Sequence, residues 1–228
     1  MIGCLVIHGF TGGPYEVEPL ADHLKRETNW DVRVPTLPGH GRELSLEDVT
    51  YEQWIEAAEQ EFIELKKCYE TIYVIGFSMG GMIAAYLAGK YNVAKLVMLA
   101  PARKFISLKY MSKHIGEALV DKIRGMAEKN KFYLRFKNKR SQVPIKANLE
   151  LVRLVKLAKN YLRKIDIPVF IAQGRQDALV PAKTTYYLDK EIVSEKVEIV
   201  LFDESDHLLC LGDDKETLNK LVLEFLNK

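Results

Sequence analysis

Length, composition and charge restrict this chain to an ordinary globular fold. Its 228 residues are 48% hydrophobic and carry a formal net charge of +2, which excludes a disordered or collagen-like chain and favours no class of charged partner. The length suits a single α/β domain with an insertion.

Short apolar runs alternate with helical patterns along the chain, which is typical of a parallel sheet covered by helices on both faces. The first run has no basic segment before it and no cleavage motif after it, so it predicts a core strand and not a signal peptide. The predicted strands are residues 4–7, 31–35, 72–76, 94–100, 169–173 and 197–202. The predicted helices are residues 16–28, 51–69, 79–91, 182–192 and 214–226. The predicted fold class is therefore α/β, with a mostly parallel sheet of about six or seven strands.

The segment 103–164 interrupts this alternation. It contains helical patterns without a convincing strand and carries 18 Lys and Arg against 4 Asp and Glu, a net charge of +14. An insertion of this composition predicts a helical, strongly basic cap over the carboxyl-terminal edge of the sheet, where open α/β sheets bind ligands. The predicted domains are a core of residues 1–102 and 165–228 and a cap of residues 103–164.

The cysteines indicate a reducing compartment. Cys4, Cys68 and Cys210 lie far apart, and no CxxC pair is present. An odd and scattered set is typical of reduced thiols, which predicts a cytoplasmic protein. No stretch approaches the roughly 20 apolar residues that span a bilayer.

The pentapeptide Gly76-Phe77-Ser78-Met79-Gly80 carries the strongest chemical signal. It follows a predicted strand and opens a predicted helix, which is the context of a nucleophile elbow. Such a sharp turn strains the backbone of Ser78 and leaves no room for bulky neighbours, so it requires the glycines. Ser78 is therefore the predicted nucleophile, although a strand-to-helix turn that merely tolerates serine has the same pattern.

His207 follows the last predicted strand and is the one histidine that comes after both Ser78 and Asp177. Its imidazole can serve as the base for the serine. Three aspartates can orient it: Asp177, which follows the preceding strand, and the sequence neighbours Asp203 and Asp206. Asp177 ranks first, because an aspartate adjacent in sequence rarely faces the imidazole correctly.

Together these motifs resemble the small bacterial carboxylesterases and monoacylglycerol lipases of the α/β-hydrolase superfamily. The resemblance covers nearly the whole chain and implies a triad of Ser78, Asp177 and His207 in the order of that family. The segments that carry it are His-Gly-Phe-Thr-Gly at 8–12, Pro-Gly-His-Gly at 38–41, Gly-Phe-Ser-Met-Gly-Gly at 76–81, Gln-Asp at 176–177 and Ser-Asp-His at 205–207.

The resemblance also implies the chemistry. It implies hydrolysis of a small-molecule ester through an acyl-enzyme, with the backbone N–H groups of Phe10 and Met79 as the oxyanion hole. The implied substrates have short or medium acyl chains, with monoacylglycerols among the candidates. No metal or organic cofactor is expected, since the sequence has no HExxH, no GxGxxG after a strand and no P-loop. A thioesterase or acyltransferase is the alternative, and a binding module of the same fold without catalysis is a further one.

Apolar residues recur in the basic segment at spacings of three and four, which indicates an amphipathic helix. This stripe either packs on the core or helps to line an acyl pocket, for which the predicted residues are Leu179, Val180, Met111, Ile115 and Leu119. The positive charge is either a solvated face or an attraction for an anionic substrate or membrane surface. Nucleic acid is not expected as a partner, because the basic helices lack a recognisable binding motif. The sequence leaves the oligomeric state open.

Overall fold

The computed structural model describes residues 1–104 and 143–228. In this part of the chain six strands form one sheet in the order β2-β1-β3-β4-β5-β6, and every neighbouring pair is parallel. The strands are β1 (Ile2–Ile7), β2 (Asp31–Arg33), β3 (Thr71–Phe77), β4 (Lys95–Leu99), β5 (Val169–Gly174) and β6 (Val197–Phe202). The predicted α/β fold class is confirmed, and each predicted strand overlaps an observed one.

Helices pack against this sheet. In the described residues they are α1 (Glu18–Glu27), α2 (Tyr51–Cys68), α3 (Met79–Lys90), α4 (Ile145–Leu162), α5 (Thr184–Glu191) and α6 (Lys215–Asn227). No helix within residues 1–104 and 143–228 has both the length and the apolar character of a membrane span.

The start predicted for the first helix, residue 16, was wrong. Residues Pro14–Glu16 form a 3₁₀ turn, and α1 begins only at Glu18, with Pro19 in its first turn. Proline is tolerated in the first turn because its missing N–H would have no partner within the helix there. Proline deeper in the helix would break the backbone ladder, so the helix starts beside it.

Successive strand residues point to opposite faces of the sheet and fill two separate cores. In β1, Leu5 and Ile7 belong to the larger core, together with residues of α2, α3 and α4. Cys4 and Val6 belong to the smaller core, together with residues of α1 and α6. Burial on both faces explains why the strands read as nearly continuous runs of Val, Ile and Leu.

The strand order reverses between β1 and β3. The chain passes from β1 to β2 at the sheet edge and then returns to the other side of β1 with β3. The loops after β1 and β3 therefore lead away in opposite directions, which opens a crevice at the carboxyl ends of these strands. Residues 8–13 and Ser78 both lie at this crevice.

The two ends of the basic segment are described, whereas the prediction for residues 105–142 lies outside the described residues. At one end, Arg103 donates to both carboxylate oxygens of Glu191, from Nε at 2.6 Å and from Nη2 at 2.5 Å. At the other end, the buried face of α4 joins the larger core, and its Glu150 carboxylate accepts from the Tyr51 N–H at 3.2 Å. The division into core and cap stays a prediction.

Replacing Gly80 by alanine should destabilise the fold, because α3 packs against β1 at this point. A Cβ at Gly80 would overlap the carbonyl oxygens of Ile7 and His8, and backbone atoms cannot rotate away. We expect a loss of about 2 to 3 kcal/mol and a melting temperature lower by about 6 to 10 °C, measured by thermal unfolding. Gly212→Ala is the matched control, since its nearest atoms would lie 3.6 and 3.9 Å away. Equal melting temperatures for the two variants would contradict this packing.

Candidate active site

Ser78 occupies the sharp turn between β3 and α3. Its backbone has φ 54° and ψ −113°, a conformation that costs energy for any residue other than glycine. Three backbone hydrogen bonds hold it there: Ser78 N–H donates to Leu99 at 2.8 Å, and its carbonyl accepts from Gly81 and Ala102, both at 3.1 Å. A Cβ at Gly76 would overlap the carbonyl oxygen of Gly80. The glycines of the motif are thus required by close backbone contacts.

The structure brings together Ser78, His207 and Asp177, each from the loop after a different strand of the sheet. Ser78 Oγ lies 2.9 Å from His207 Nε2, and His207 Nδ1 lies 2.6 Å from Asp177 Oδ2. Ser78 and Asp177 are buried, with 5% and 6% of their surface exposed. A hydroxyl, an imidazole and a carboxylate in continuous hydrogen-bonding distance form the arrangement in which a base activates a nucleophile.

The Asp177 carboxylate is held on both of its oxygens. Oδ1 accepts from the backbone N–H groups of Leu179 and Val180, both at 2.8 Å. Oδ2 accepts from the side-chain amide of Gln173 at 2.7 Å, in addition to its contact with His207. These bonds leave the carboxylate one orientation, in which Oδ2 faces the imidazole.

The sequence neighbours of His207 have other bonds. Asp206 Oδ1 accepts from the Leu208 N–H at 2.9 Å, and Asp203 pairs with the exposed Arg175 at 2.6 Å. Asp177, which ranked first among the three aspartates, is the one placed at His207 Nδ1. The spatial arrangement therefore agrees with the ranking from chain order.

The loop that carries His207 is anchored at Ser205. The Ser205 hydroxyl donates to Asp214 at 2.6 Å, just before α6. Its carbonyl accepts from the Gln176 N–H at 3.1 Å, and a Cβ at Gly174 would overlap this same carbonyl oxygen. The histidine loop thus rests directly on the loop that carries Asp177.

The two predicted oxyanion donors lie on either side of the crevice. Phe10 belongs to the loop after β1, and Met79 is the first residue of α3. An N–H in the first turn of a helix has no acceptor within the helix and can donate to an anion at the helix N-terminus. Both placements suit the predicted role, which stays a prediction.

His8 braces the loop that contains Phe10. Its Nε2 accepts from the Leu37 N–H at 3.1 Å, so its Nδ1 carries the proton and donates to the Gly9 carbonyl at 2.9 Å. Only a neutral imidazole can make both bonds. Burial lowers the pKa of His8 from 6.5 to about 4, against the smaller opposing effect of the bond to Gly9. His8 therefore has a structural role, in which it holds the loop through both ring nitrogens.

Stability should fall in acid because of His8. Its pKa is lower in the folded state than the ordinary 6.5, so its contribution is complete above pH 6.5 and is lost as the pH falls toward 4, amounting to about 3 kcal/mol. In His8→Gln the amide oxygen takes the acceptor position of Nε2 and does not titrate. Urea unfolding from about pH 7 to about pH 4 should show a steeper loss for wild type than for the variant. Parallel curves would contradict the neutral, buried histidine.

Aromatic rings also pack against the same loop. The Phe10 ring lies 5.7 Å from that of Trp54 and 5.9 Å from that of His40, in edge-to-face geometry. The Trp54 indole donates to the Pro38 carbonyl at 3.0 Å. Such contacts add to the hydrophobic burial of the rings and fix their orientation. The Pro-Gly-His-Gly segment and Trp54 therefore pack against the loop that contains Phe10.

The predicted acyl pocket is described only in part. Val180 is fully buried and Leu179 is partly buried, and both pack against the larger core beside Asp177. Met111, Ile115 and Leu119 lie outside the described residues. The pocket stays a prediction. Among residues 1–104 and 143–228, no group of three or more His, Cys, Asp or Glu side chains is arranged to hold a metal ion.

Gln173 was not among the predicted site residues, although its amide contacts the candidate acid. Its Nε2 donates both to Asp177 Oδ2 and to the Val180 carbonyl, at 2.7 and 3.1 Å. A signal for it was available. Gln173 is a polar residue within a strand that is otherwise apolar and buried on both faces, and such a group needs a specific partner.

Known proteins are similar to this chain in sequence. A family model described as the α/β-hydrolase fold matches residues 5–137. The chain is 30% identical to a thermostable monoacylglycerol lipase of Bacillus sp. (strain H-257), over all of this chain and 91% of the relative. It is 24% identical to a carboxylesterase of Bacillus subtilis (strain 168), over 98% of this chain and 92% of the relative.

Solved structures show the same fold. A structure from a study of LipS and LipT, two metagenome-derived lipolytic enzymes, superposes with a TM-score of 0.79 at 23% identity, over 99% of this chain and 93% of the other. The monoacylglycerol lipase of Paleococcus ferrophilus superposes with a TM-score of 0.74 at 17% identity, over 98% and 93%. With the family match over more than half its length and the 30% identity along all of it, this chain belongs to the α/β-hydrolase family.

Proposed function

We propose that this chain is a serine hydrolase that cleaves carboxylic esters through an acyl-enzyme on Ser78. The observation that supports the proposal most directly is the continuous contact from Ser78 Oγ through His207 to Asp177, at 2.9 and 2.6 Å. The names of its relatives, a monoacylglycerol lipase and a carboxylesterase, point to the same reaction.

The reaction begins with a proton transfer to His207. Nε2 takes the proton of Ser78 Oγ as the oxygen attacks the ester carbonyl, which forms a tetrahedral intermediate with a negative oxygen. Asp177 keeps the other ring proton on Nδ1 and stabilises the imidazolium. The intermediate collapses, and His207 passes the proton to the departing alkoxide, which leaves as the alcohol.

Water completes the cycle. It gives a proton to His207 and attacks the acyl-enzyme, and the second intermediate releases the carboxylic acid as Ser78 recovers its proton. In both halves the negative oxygen would accept from the N–H groups of Phe10 and Met79. One such donor contributes roughly 3 to 4 kcal/mol in other hydrolases. The helix N-terminus at Met79 supports the same charge.

The proposed substrates are esters with short or medium acyl chains, monoacylglycerols among them. The support is the apolar surroundings of Leu179 and Val180 and the name of the Bacillus sp. relative. The test is hydrolysis of p-nitrophenyl esters with acyl chains of two to sixteen carbons and of monoacylglycerols of the same lengths. Activity that peaks within this series supports an ester hydrolase. A thioester cleaved much faster than its oxygen ester would indicate a thioesterase, and acyl transfer to an added alcohol in preference to water would indicate an acyltransferase.

The basic segment is proposed to attract anionic partners, either an anionic substrate or an anionic membrane surface. Between residues 145 and 164 the one acidic side chain, Glu150, is buried. The exposed cationic residues there are Lys146, Arg153, Lys156, Lys159, Arg163 and Lys164. Exposed apolar residues stand beside them, namely Ile145, Leu149 and Val152. Cationic and apolar residues on one helix face suit the surface of an anionic lipid layer.

This attraction should depend on salt. Hydrolysis of esters in anionic vesicles, or of acidic soluble esters, should weaken steeply as the ionic strength rises, while hydrolysis of neutral soluble esters should not. Replacing Lys156 and Lys159 together by glutamine should reduce the same salt dependence. Rates that do not depend on salt for either the anionic or the neutral substrates would refute the proposed attraction.

A further inference from the structure

The Glu16 carboxylate is a buried charge that the proposed reaction does not use. The residue ends the 3₁₀ turn Pro14–Glu16, and only 8% of its surface is exposed. A carboxylate is rarely buried to this extent without bonds that compensate for the lost water. One of these bonds is formed with the Gly9 N–H, which donates to Oε2 at 3.1 Å.

The loop after β1 wraps around this carboxylate. A Cβ at Gly12 would overlap both carboxylate oxygens of Glu16, so the side chain fills the space inside the loop. The backbone of Glu16 closes the loop from its far end, because its N–H donates to the Gly13 carbonyl at 3.0 Å. Glu16 therefore contacts the loop at its beginning, at its middle and at its end.

The peptide that Glu16 holds is the neighbour of the proposed oxyanion donor. Gly9 precedes Phe10, and glycine offers its backbone little resistance to rotation. Glu16 holds the Gly9 N–H, which belongs to the His8–Gly9 peptide, and His8 Nδ1 holds the Gly9 carbonyl, which belongs to the Gly9–Phe10 peptide, at 2.9 Å. The two bonds together limit rotation about Gly9 and so orient the Phe10 N–H. Gly9 also packs against the Phe77 ring, which lies 5.0 Å from the His207 ring. Movement of Gly9 would therefore disturb both the donor and the base.

The negative charge itself does not suit this position. An anion beside the oxyanion loop opposes the negative charge that develops there, and this opposition is stronger in a poorly hydrated site. The charge of Glu16 also reaches the buried Cys210, three residues after His207, where it adds to the effect of burial in raising the pKa of the thiol to about 12. What Glu16 contributes to the loop is thus an acceptor oxygen on a side chain long enough to reach the Gly9 N–H.

We propose that Glu16 is a positioning residue, whose carboxylate oxygen fixes the Gly9 peptide and thereby aims the Phe10 N–H at the oxyanion. The inference rests on the proposed ester hydrolysis and assigns Glu16 no contact with the substrate. It predicts that an uncharged side chain of the same length with an acceptor oxygen preserves the reaction, whereas one without an acceptor does not.

The experiment compares Glu16→Gln, Glu16→Leu and Glu16→Asp with wild type, using p-nitrophenyl butyrate. We expect Glu16→Gln to keep kcat within about threefold, since glutamine retains an acceptor oxygen at the same reach. Glu16→Leu should lower kcat by about 10- to 100-fold at nearly unchanged KM, because a misdirected donor is lost mainly in the transition state. Labelling of Ser78 by a fluorophosphonate, whose reaction also builds negative charge on oxygen, should slow by a similar factor.

Two further variants separate this role from simple stability. Glu16→Asp keeps the charge but is one methylene too short to reach the Gly9 N–H, so its kcat should fall. This variant still tests the inference if Glu16→Leu fails to fold. Glu18→Leu removes an exposed acid from the start of α1 and should leave kcat and labelling unchanged.

Three results would overturn the inference. They are equal kcat for Glu16→Gln and Glu16→Leu, full activity in Glu16→Asp, or a loss confined to KM. A wild type that hydrolyses no ester and takes no label at Ser78 would refute the proposed function, and the role of Glu16 with it. If wild type is active and Glu16→Leu is equally active, the role of Glu16 is refuted and the proposed function is not.

Discussion

Ser78→Ala should abolish ester hydrolysis. Loss of the proposed nucleophile would remove the proposed covalent route entirely, and we expect kcat for p-nitrophenyl butyrate to fall by about 10⁵- to 10⁶-fold. Alanine lacks only the hydroxyl, so the backbone bonds from Leu99, Gly81 and Ala102 that hold the strained turn should persist. The variant should therefore unfold at nearly the same temperature as wild type, which separates lost chemistry from lost structure.

Ser45→Ala is the matched control for this experiment. Ser45 is exposed, and its backbone N–H donates to the Gly39 carbonyl at 2.9 Å, a bond that alanine retains. Its replacement should leave kcat unchanged and should leave one equivalent of fluorophosphonate on the protein. Mass spectrometry of the labelled wild type should place that equivalent on Ser78. A label on another residue, or residual activity in Ser78→Ala equal to wild type, would refute the proposed nucleophile.

Asp177→Asn should lower kcat by about 10⁴-fold, by analogy with other triads. The reason lies in the bonds of Oδ1, which accepts from the backbone N–H groups of Leu179 and Val180. Those donors cannot turn, so the oxygen of an asparagine would stay with them and its NH₂ group would face His207. The imidazole would then have to accept at Nδ1 and carry its proton on Nε2. That tautomer cannot take the proton of Ser78.

Asp206→Asn and Asp203→Asn are the controls that the sequence itself suggests. Asp206 accepts from the Leu208 N–H, a bond that the oxygen of asparagine can retain, and Asp203 forms an exposed pair with Arg175. Exposed pairs contribute little to stability. Both variants should keep kcat within a few-fold of wild type, measured across the pH range of activity. A loss in Asp206→Asn as large as that in Asp177→Asn would contradict the assigned acid.

The turn at Ser78 was predictable because the residues that it requires lie next to it in sequence. A strained residue between a strand and a helix needs glycines on both sides, and the overlap that a Cβ at Gly76 or Gly80 would create confirms that need. The order of strands and helices was also predictable, since runs buried on both faces differ in period from amphipathic helices. The start of α1 was not, because the 3₁₀ turn before it shares the composition of a first helical turn.

Only the tertiary structure decided which segments far apart in sequence come into contact. Chain order could rank Asp177 above Asp203 and Asp206, but the contact itself depends on how β5 and β6 lie side by side and on where their loops turn. The contacts of Gln173 and Glu16 also depended on the tertiary structure, because their sequence neighbours do not show which backbone group or carboxylate each side chain faces.

The sequence by itself thus determined the α/β fold class and the position of Ser78, since both depend on short-range backbone geometry and on the period of apolar residues. The tertiary structure decided which acid meets His207, which amide steadies that acid and which buried carboxylate shapes the loop around Phe10. Hydrogen bonds act over about 3 Å, and the partners in these bonds are brought that close only by the packing of the sheet.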